Sequence, residues 1–230
     1  MPLPIILIWI AGALLVGGGA ALGWNELVFK LKGKRLAILG EREVGKTVLT
    51  QFMTTGTVPS DYKETVAPEA TSRNHLKLID LALVVHRSFD VGGGKANYGE
   101  WRRGHDEADL VFYLLRADRL GAGRKETLDR VINDLTHIKG WREARQKAGQ
   151  SVPTLVIIGT HCDLDPAFEA VRDGQAGEYL ERFKARPSLQ KVWALAGGMA
   201  RVPVVLGSLE TDGHRKALVY NVLQVLQTTP

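Results

Sequence analysis

The sequence predicts an α/β protein, a three-layer α/β/α fold with a mainly parallel six-stranded sheet that includes one antiparallel strand. Short apolar runs of buried-strand type alternate along the chain with longer segments of helical pattern, which is the element order of a parallel sheet covered by helices. Two consecutive runs, HLKLID and LALVVHRSF, lie close enough in sequence to pair as a hairpin. The hairpin supplies the antiparallel strand.

The individual elements follow from these patterns. The predicted strands are 35–40, 75–80, 81–89, 110–115, 154–160 and 202–208. The predicted helices are 44–53, 124–146, 166–185 and 216–227. Between the first helix and the hairpin, the polar segment 55–74 has two prolines and no periodicity, so it is predicted to be a long loop. Loops of this length in compact domains tend to be functional or disordered.

The first 25 residues carry no charged side chain, and their run LPIILIWIAGALLVGGGAALGW can cross about 30 Å of hydrocarbon as a helix. A buried soluble helix seldom contains three successive glycines, and a cleavable signal peptide begins with a positive segment that this chain lacks. Basic residues follow the run instead, at Lys30, Lys32, Lys34 and Arg35. By the positive-inside bias, they place the following domain in the cytoplasm. We therefore expect a single-pass anchor at 1–25, a basic juxtamembrane linker at 26–34 and one soluble domain at 35–230.

Composition limits the remaining functions. A chain of 230 residues with 45% hydrophobic content can build one domain with a substantial core. Its net charge of +5 is mild and no long run has a single sign, so nucleic-acid binding has little support. The single cysteine, Cys162, rules out a disulfide framework within the chain.

The segment GEREVGKT, from Gly40 to Thr47, matches the phosphate-loop pattern G-x-x-x-x-G-K-[ST]. It lies between a predicted strand and a predicted helix, so its backbone N–H groups can wrap the phosphates of a nucleotide. Lys46 is expected to reach the β- and γ-phosphates, and the Thr47 hydroxyl to bind Mg²⁺. The other expected phosphate-binding residues of the loop are Gly40, Glu43, Val44 and Gly45. An ordinary glycine turn is the competing interpretation, which the strand–helix context disfavours.

The tetrapeptide THCD, from Thr160 to Asp163, follows a predicted buried strand and resembles the [NT]-K-x-D guanine motif of the GTPases. In that family the aspartate accepts from N1–H and the 2-amino group of guanine, and adenine lacks this donor pair. His161 stands in place of the family's lysine, whose stem lies along the purine face, and an imidazole can also cover a ring face. The alternative is that Asp163 caps the helix expected near Pro166. Ser208-Leu209-Glu210 stands where the family has Ser-Ala-Lys, whose backbone amide meets guanine O6, and only the serine matches.

The stretch DVGGGK at 90–95 resembles the γ-phosphate sensor of the small Ras-like and Arf-like GTPases. FDVGG is particularly similar to the Arf branch and to the membrane-anchored β subunit of the signal-recognition-particle receptor. The resemblance implies that Asp90 holds Mg²⁺ through water and that the Gly93 amide contacts the γ-phosphate. It also implies a Mg²⁺-coordinating threonine in the long loop, for which Thr65 has the typical spacing from Lys46 and Thr71 is the fallback.

Small GTPases usually carry a glutamine after the sensor glycine to orient the attacking water, and Gly94 occupies that position here. Arg42 in the phosphate loop stands where Ras has glycine, and its bulk would crowd an arginine inserted by an activator. We therefore expect slow intrinsic hydrolysis with activation by a partner protein, with Arg42 and His105 as candidate substitutes for the missing group. Tyr98 and Trp101 follow the sensor and could form an effector surface, or Trp101 could pack against the next helix.

The predicted function is that of a membrane-anchored protein that binds GTP or GDP with Mg²⁺ and recruits or assembles a protein partner. A constitutively nucleotide-bound scaffold subunit of a membrane complex is the main alternative. An ATP-using phosphate-loop enzyme is a third interpretation, with less support from the base motif.

Overall fold

The computed structural model describes residues 33–55, 74–78, 81–87, 98–169 and 176–228. The predicted anchor at 1–25 and most of the linker lie outside these residues. So do the four switch residues that the resemblance implies, namely Thr65, Asp90, Gly93 and Gly94. Within the described residues, no helix has both the length and the apolar character that crossing a bilayer requires.

The strands form a sheet in the order β2-β3-β1-β4-β5-β6. Its members are β1 (Leu36–Gly40), β2 (Asn74–Leu78), β3 (Leu81–Arg87), β4 (Leu110–Arg116), β5 (Thr154–Thr160) and β6 (Val204–Leu206). β2 pairs antiparallel with β3, whereas β1 is parallel to both β3 and β4, and β5 is parallel to both β4 and β6. The predicted parallel sheet with helices around it is confirmed.

The helices connect these strands, as expected for parallel neighbours. They are α1 (Lys46–Thr55), α2 (Tyr98–Glu107), α3 (Ala117–Gly121), α4 (Lys125–Lys147), α5 (Pro166–Glu169), α6 (Ala176–Lys184), α7 (Gln190–Ala196) and α8 (Asp212–Thr228). Two short 3₁₀ turns lie at Cys162–Leu164 and Pro187–Leu189. The segment predicted as one helix at 166–185 holds α5 and α6, and α7 was not predicted.

Two hydrophobic cores lie on the two faces of the sheet, and β1 shows why. Side chains alternate between faces along a strand. Leu36 and Ile38 therefore join one core with residues of α1 and α8, while Ala37 and Leu39 join the other with residues of α2, α4 and α7. Each large apolar side chain that is fully buried stabilises the fold by about 1.5–3 kcal/mol. Because β1 is buried on both faces, it holds the start of the following loop in a fixed position.

The parallel strands end at one common edge of the sheet, which we call the carboxyl edge. The register pairs Gly40 of β1 with Leu114 of β4, and Arg116 of β4 with Thr160 of β5. Gly159 pairs with Leu206 in the same way. The loops after β1, β5 and β6 are therefore neighbours, and in open α/β sheets this edge is where ligands bind.

Candidate nucleotide-binding site

The predicted phosphate loop joins the end of β1 to the start of α1 in a backbone conformation suited to an anion. Glu43 and Gly45 both have left-handed backbones, with φ of 60° and 85°, on either side of Val44. Alternation of left- and right-handed residues turns successive N–H groups toward one concave side, which is the geometry of an anion-binding nest. The N-terminus of the ten-residue helix α1 adds its partial positive charge to the same place.

Two glycines in this loop cannot be replaced without displacing neighbours. Gly40 has φ of 142°, and a Cβ there would overlap the backbone oxygen of Leu114. At Gly45 a Cβ would lie 2.5 Å from Cδ1 of Leu209. The pattern therefore needs glycine at both positions because of backbone conformation and close packing together.

Lys46, the first residue of α1, holds its ammonium group over the loop. Its Nζ donates to the carbonyl oxygen of Gly40 at 2.6 Å and to that of Glu41. The positive charge thus lies on the concave side of the main chain, where a phosphate would be neutralised. Thr47 follows in the first turn of α1 and is half-buried.

Thr160 at the end of β5 joins the phosphate loop to the predicted base loop. Its hydroxyl lies 3.0 Å from the carbonyl oxygen of Val44 and 3.2 Å from that of Leu115. Both carbonyls can only accept, so the single hydroxyl proton goes to one of them. Nδ1 of His161, 2.9 Å from the same hydroxyl, must then be the donor to Thr160. This assigns His161 the Nδ1–H tautomer when neutral.

His161 has a left-handed backbone with φ of 59°, which turns the chain sharply after β5. Burial, the largest cause, lowers the pKa of its imidazole, and the charge of Arg116 acts in the same direction. His161 is therefore neutral near pH 7. A neutral imidazole is compatible with covering the face of a purine.

Asp163 presents a half-buried carboxylate just beyond this turn. Among the described residues it makes no hydrogen bond and no ion pair. The cap of the next helix is a different residue, because Oδ1 of Asp165 accepts from the N–H of Ala167 at 2.9 Å. The capping alternative for Asp163 is therefore not what the structure shows.

The loop after β6 completes the carboxyl edge. The N–H of Cys162 donates to the carbonyl oxygen of Gly207 at 3.1 Å, which holds this loop against the turn after β5. Ser208 accepts from the N–H of Glu210 at 3.0 Å, and Arg215 donates to the carbonyl oxygen of Leu209 at 2.7 Å. The predicted loop residues at 40–47, 160–163 and 208–209 are thus brought together.

An ion pair beside this site was not predicted. Arg116, the last residue of β4, donates two hydrogen bonds to the carboxylate of Asp118, at 2.8 and 2.6 Å. Burial alone would raise the pKa of Asp118, but the hydrogen bonds and charge of Arg116 outweigh it and lower that pKa. The pair fixes the end of β4 next to His161, and no spacing rule links these residues to a nucleotide motif.

A second buried network lies on α4, and its charges act on the phosphate loop. Asp134 is fully buried and accepts from the hydroxyls of Tyr98 (2.7 Å) and Tyr113 (3.0 Å) and from Nε of Arg130 (2.8 Å). Burial raises the pKa of Glu41 in the phosphate loop, and the charges of Arg130 and Asp134 also act on it. The Arg130–Asp134 spacing was visible in the sequence, but it is equally typical of an exposed helical pair.

The two candidate substitutes for the missing glutamine lie in different places. Arg42 is exposed on the phosphate loop, so it remains a candidate. His105 is fully buried near the end of α2, 5.6 Å from Trp141 between ring centroids. Because α2 ends just before β4 begins, His105 lies at the opposite edge of the sheet, about a strand's length (~15 Å) from the phosphate loop. It is not part of the site proposed below.

Trp101 is also buried, with 1% of its surface exposed, and packs beside Tyr113 and Tyr98. Tyr98, Trp101 and His105 share one face of α2, and that face packs on α4. Trp101 is therefore buried, with ring contacts to Tyr98 and to Tyr113 of β4, and it belongs to the same hydrophobic core as residues of α4. Tyr98 is half-buried, stacked on His137 at 3.9 Å between centroids.

Comparison with known proteins shows a likeness in fold. No protein-family model matches the chain, and no curated protein matches it. Among solved structures, the translation elongation factor SelB from Methanococcus maripaludis, in complex with the GTP analogue GppNHp, is similar over 87% of this chain with a TM-score of 0.50. The two have the same fold. Their sequence identity is 15%, and this chain spans about a third (35%) of that structure.

Proposed function

We propose that this protein is a membrane-anchored GTP-binding protein, a nucleotide-dependent switch that recruits or assembles a protein partner. The phosphate loop carries the proposal: two left-handed residues and a lysine folded over the loop carbonyls form a concave, positively charged surface at the start of a helix. The likeness in fold to a protein that holds a GTP analogue supports the same assignment.

Guanine is the proposed base because the carboxylate of Asp163 is available next to the loop. A carboxylate accepts from the N1–H and 2-amino groups of guanine, whereas adenine offers no such pair. Thr160 and the turn at His161 fix the backbone just before Asp163 relative to the phosphate loop. Ser208 and Leu209 are proposed to contribute the backbone of the third loop.

Mg²⁺ is the proposed metal, held by Thr47 of α1 together with Thr65 and with Asp90 through water. When bound, it neutralises charge on the β- and γ-phosphates. The hydroxyl of Thr47 lies in the first turn of α1, beside the lysine that would contact the same phosphates. The sensor residue Gly93 is proposed to contact the γ-phosphate through its amide.

Hydrolysis is proposed to be slow without a partner, because Gly94 has no side chain that could orient water. A GTPase of this kind depends on an activator for most of its rate. The alternative is a scaffold that keeps its nucleotide permanently. The nucleotide that copurifies with the full chain distinguishes the switch from the scaffold. A switch exchanges GDP and GTP, whereas a scaffold retains one of them through long dialysis.

The test of the base assignment compares affinities for GDP, ADP and xanthosine diphosphate in the wild type and in Asp163→Asn. The asparagine amide keeps one acceptor and gains a donor, so it matches the 2-carbonyl of xanthine instead of the 2-amino group of guanine. We expect at least tenfold weaker GDP binding and a gain for xanthosine diphosphate. Asp129→Asn, an exposed aspartate of α4, is the matched control and should change neither.

Two outcomes would contradict the proposal. Tighter binding of ADP than of GDP by the wild type would replace GTP with ATP as the ligand. If calorimetric titration of a folded sample with Mg²⁺ gives no binding heat with any guanosine phosphate, the protein has no such nucleotide site. Lys46→Ala shows the background heat expected in that case.

The anchor and the cytoplasmic location are proposed from residues 1–35 of the sequence alone. Extraction of membranes with alkaline carbonate should leave the full chain in the pellet. Protease added outside sealed cells should not digest the domain, because the basic residues after the apolar run are expected to stay on the cytoplasmic side.

A further inference from the structure

The edge of the sheet opposite the carboxyl edge gathers the starts of three strands and the ends of two long helices. The carbonyl oxygen of Arg35 accepts from the N–H groups of Asp109 (2.8 Å) and Leu110 (3.0 Å). The carbonyl oxygen of Asp109 accepts in turn from the N–H of Thr154 at 3.0 Å. From α4, Nη1 of Arg145 donates to the carbonyl oxygen of Asp106, near the end of α2, at 2.6 Å. The last turns of α4 therefore lie at the point where the chain enters the domain.

This edge carries more cations than carboxylates. Its carboxylates are largely engaged, since Asp106 pairs with Arg102 (3.5 Å), Asp109 with Arg35 (3.7 Å) and Glu143 with Lys139 (3.6 Å). Glu107 at the end of α2 is one further carboxylate here. Four cations at this edge make no ion pair with any described residue, namely Lys34, Arg142, Arg145 and Lys147. We call the surface formed by Lys34, Arg35, Arg142, Arg145 and Lys147 the basic edge.

The basic edge is also the end of the domain nearest the predicted anchor. The anchor ends at residue 25 and the described chain begins at Gly33, so the eight intervening steps span at most about 28 Å. Lys30 and Lys32 lie within that segment. Attraction between surface charges acts within roughly 8–10 Å at physiological salt. A domain held this close, with its positive side toward the chain entry, can bring the basic edge into that range.

Resting on the membrane anchoring proposed above, we infer that the basic edge binds the headgroups of anionic lipids. Binding there orients the domain with the carboxyl edge and its nucleotide site away from the bilayer, because the two edges lie at opposite ends of the strands. The ligand is a surface of negatively charged phospholipid, and the contact is made by arginine and lysine side chains. The site is separate from the nucleotide loops, and it acts on the position of the domain.

The helix α4 supplies a matched pair of variants, because it runs from one edge to the other. Its 23 residues span about 33 Å. Arg142→Gln with Lys147→Gln removes two charges at the basic edge. Arg124→Gln with Lys125→Gln removes two exposed charges at the far end. Each basic residue near an anionic surface strengthens attraction by about fivefold, so the first variant should weaken the contact by roughly 25-fold and the second should leave it unchanged.

The measurement uses the full chain in nanodiscs of phosphatidylcholine, with or without phosphatidylserine. The native thiol, Cys162, is buried, so a dye can be attached selectively to Gln146→Cys at the basic edge or to Ala122→Cys at the carboxyl edge. Energy transfer to an acceptor on the lipid headgroups should rise with phosphatidylserine for the dye at 146 and not for the dye at 122. The rise should disappear in the Arg142/Lys147 variant and at high salt, and should persist in the Arg124/Lys125 variant.

Transfer that is insensitive to phosphatidylserine, or equal at both dye positions, would overturn the inference, and so would equal losses in the two variants. The readout needs no nucleotide, so failure of GTP binding does not affect it. If the full chain proves not to be inserted, flotation with the same two lipid compositions measures binding directly. Flotation that requires phosphatidylserine and Arg142/Lys147 would then support the lipid contact while rejecting the anchor, and its absence would reject both.

Discussion

The hydroxyl of Thr160 lies 3.0 Å from the carbonyl oxygen of Val44, which joins the end of β5 to the middle of the phosphate loop across 116 residues of chain. The bond is buried, so neither partner can exchange it for water. A loop that would hold phosphate is thereby fixed to the loop that would hold the base. The spacing of the two halves of the site then depends on this hydrogen bond.

Thr160→Val should weaken nucleotide binding and stability together. Valine has the same shape, but the substitution removes the hydroxyl, and a buried hydrogen-bonding group left unsatisfied costs about 1–3 kcal/mol. We expect a loss of this size in the free energy of unfolding by denaturant, together with weaker GDP binding. Thr136→Val is the control, because its hydroxyl bonds within an exposed stretch of α4. An unchanged GDP affinity in Thr160→Val would show that the two loops are positioned independently.

Gly45→Ala should destabilise the protein more than Gly149→Ala, because Gly149 shares the left-handed backbone of Gly45 but not its close neighbour. Gly149 has φ of 68°, and no atom lies within 4 Å of the place that an added methyl group would take, so Gly149→Ala tests the backbone cost alone, about 1–2 kcal/mol. Gly45→Ala adds the collision with Leu209. We expect a larger loss of stability and loss of nucleotide binding. Leu209→Ala in the same chain should recover part of the stability, and full recovery would mean that the left-handed backbone matters little.

Asp134→Asn should destabilise the domain by about 2–4 kcal/mol, because Arg130 loses its buried counter-charge. In the native protein Tyr98 and Tyr113 donate to different oxygens of the carboxylate, so the amide nitrogen of asparagine places an N–H donor opposite the hydroxyl of one of them. Thermal unfolding followed by circular dichroism measures the effect. Asp129→Asn on the same helix is exposed and should be neutral within about 0.5 kcal/mol. Equal effects of the two substitutions would remove the structural role given to Asp134.

His105→Phe should reduce the decrease in the free energy of unfolding that occurs at acid pH. Burial lowers the pKa of His105 below its ordinary value of 6.5, so the folded protein holds it neutral while the unfolded chain takes up a proton first. Stability is therefore full above about pH 6.5 and falls as the pH drops toward the folded pKa, by at most about 1.4 kcal/mol per pH unit for one group. Phenylalanine keeps the packing against Trp141 and removes this contribution. His161 still contributes in the same direction.

Denaturant unfolding at pH 7.5 and pH 5.5 tests this prediction. The difference between the two values should be smaller in His105→Phe than in the wild type. His214→Gln, a substitution of an exposed histidine in α8, should leave the difference unchanged. An undiminished difference in His105→Phe would show that His105 does not respond to pH in this range.

Gly94→Gln should raise single-turnover GTP hydrolysis, because it supplies the water-orienting side chain that the family resemblance implies at this position. We expect an increase of at least tenfold over the wild type, with GDP affinity unchanged. Gly92→Gln, two residues earlier, is the control and should give no increase. A wild-type rate already well above that of unaided small GTPases would contradict slow intrinsic hydrolysis and make the missing glutamine irrelevant.

The placement of the predicted phosphate loop and base loop could be read from the sequence, because each combines a fixed spacing with a strand that ends at the loop. Gly40, Lys46 and Thr160 were found in this way, and the structure brings their loops to one edge. His105 was a misleading candidate substitute for the missing glutamine, because it was chosen for its nearness in sequence to Gly94. Its position five residues before β4 indicates the opposite edge, since a residue that precedes a parallel strand lies far from the strand's end.

Other features depended on contacts that no local pattern encodes. Trp101 follows a polar segment and looked exposed, but the face it shares with Tyr98 and His105 packs on α4. Asp134 became central only because Tyr98 and Tyr113, from two other elements, converge on it. Tertiary pairing of distant segments decides such cases, and one sequence shows only the separate participants.

The single thiol gives the molecule a built-in reporter. Cys162 is fully buried beneath the turn between His161 and Asp163, and burial raises its pKa to about 12. A protonated, enclosed sulfur reacts with alkylating reagents only during brief openings of the surrounding backbone. The rate of its modification therefore measures how often the proposed purine end of the site opens, and nucleotide occupancy can be followed through that rate in unlabelled protein.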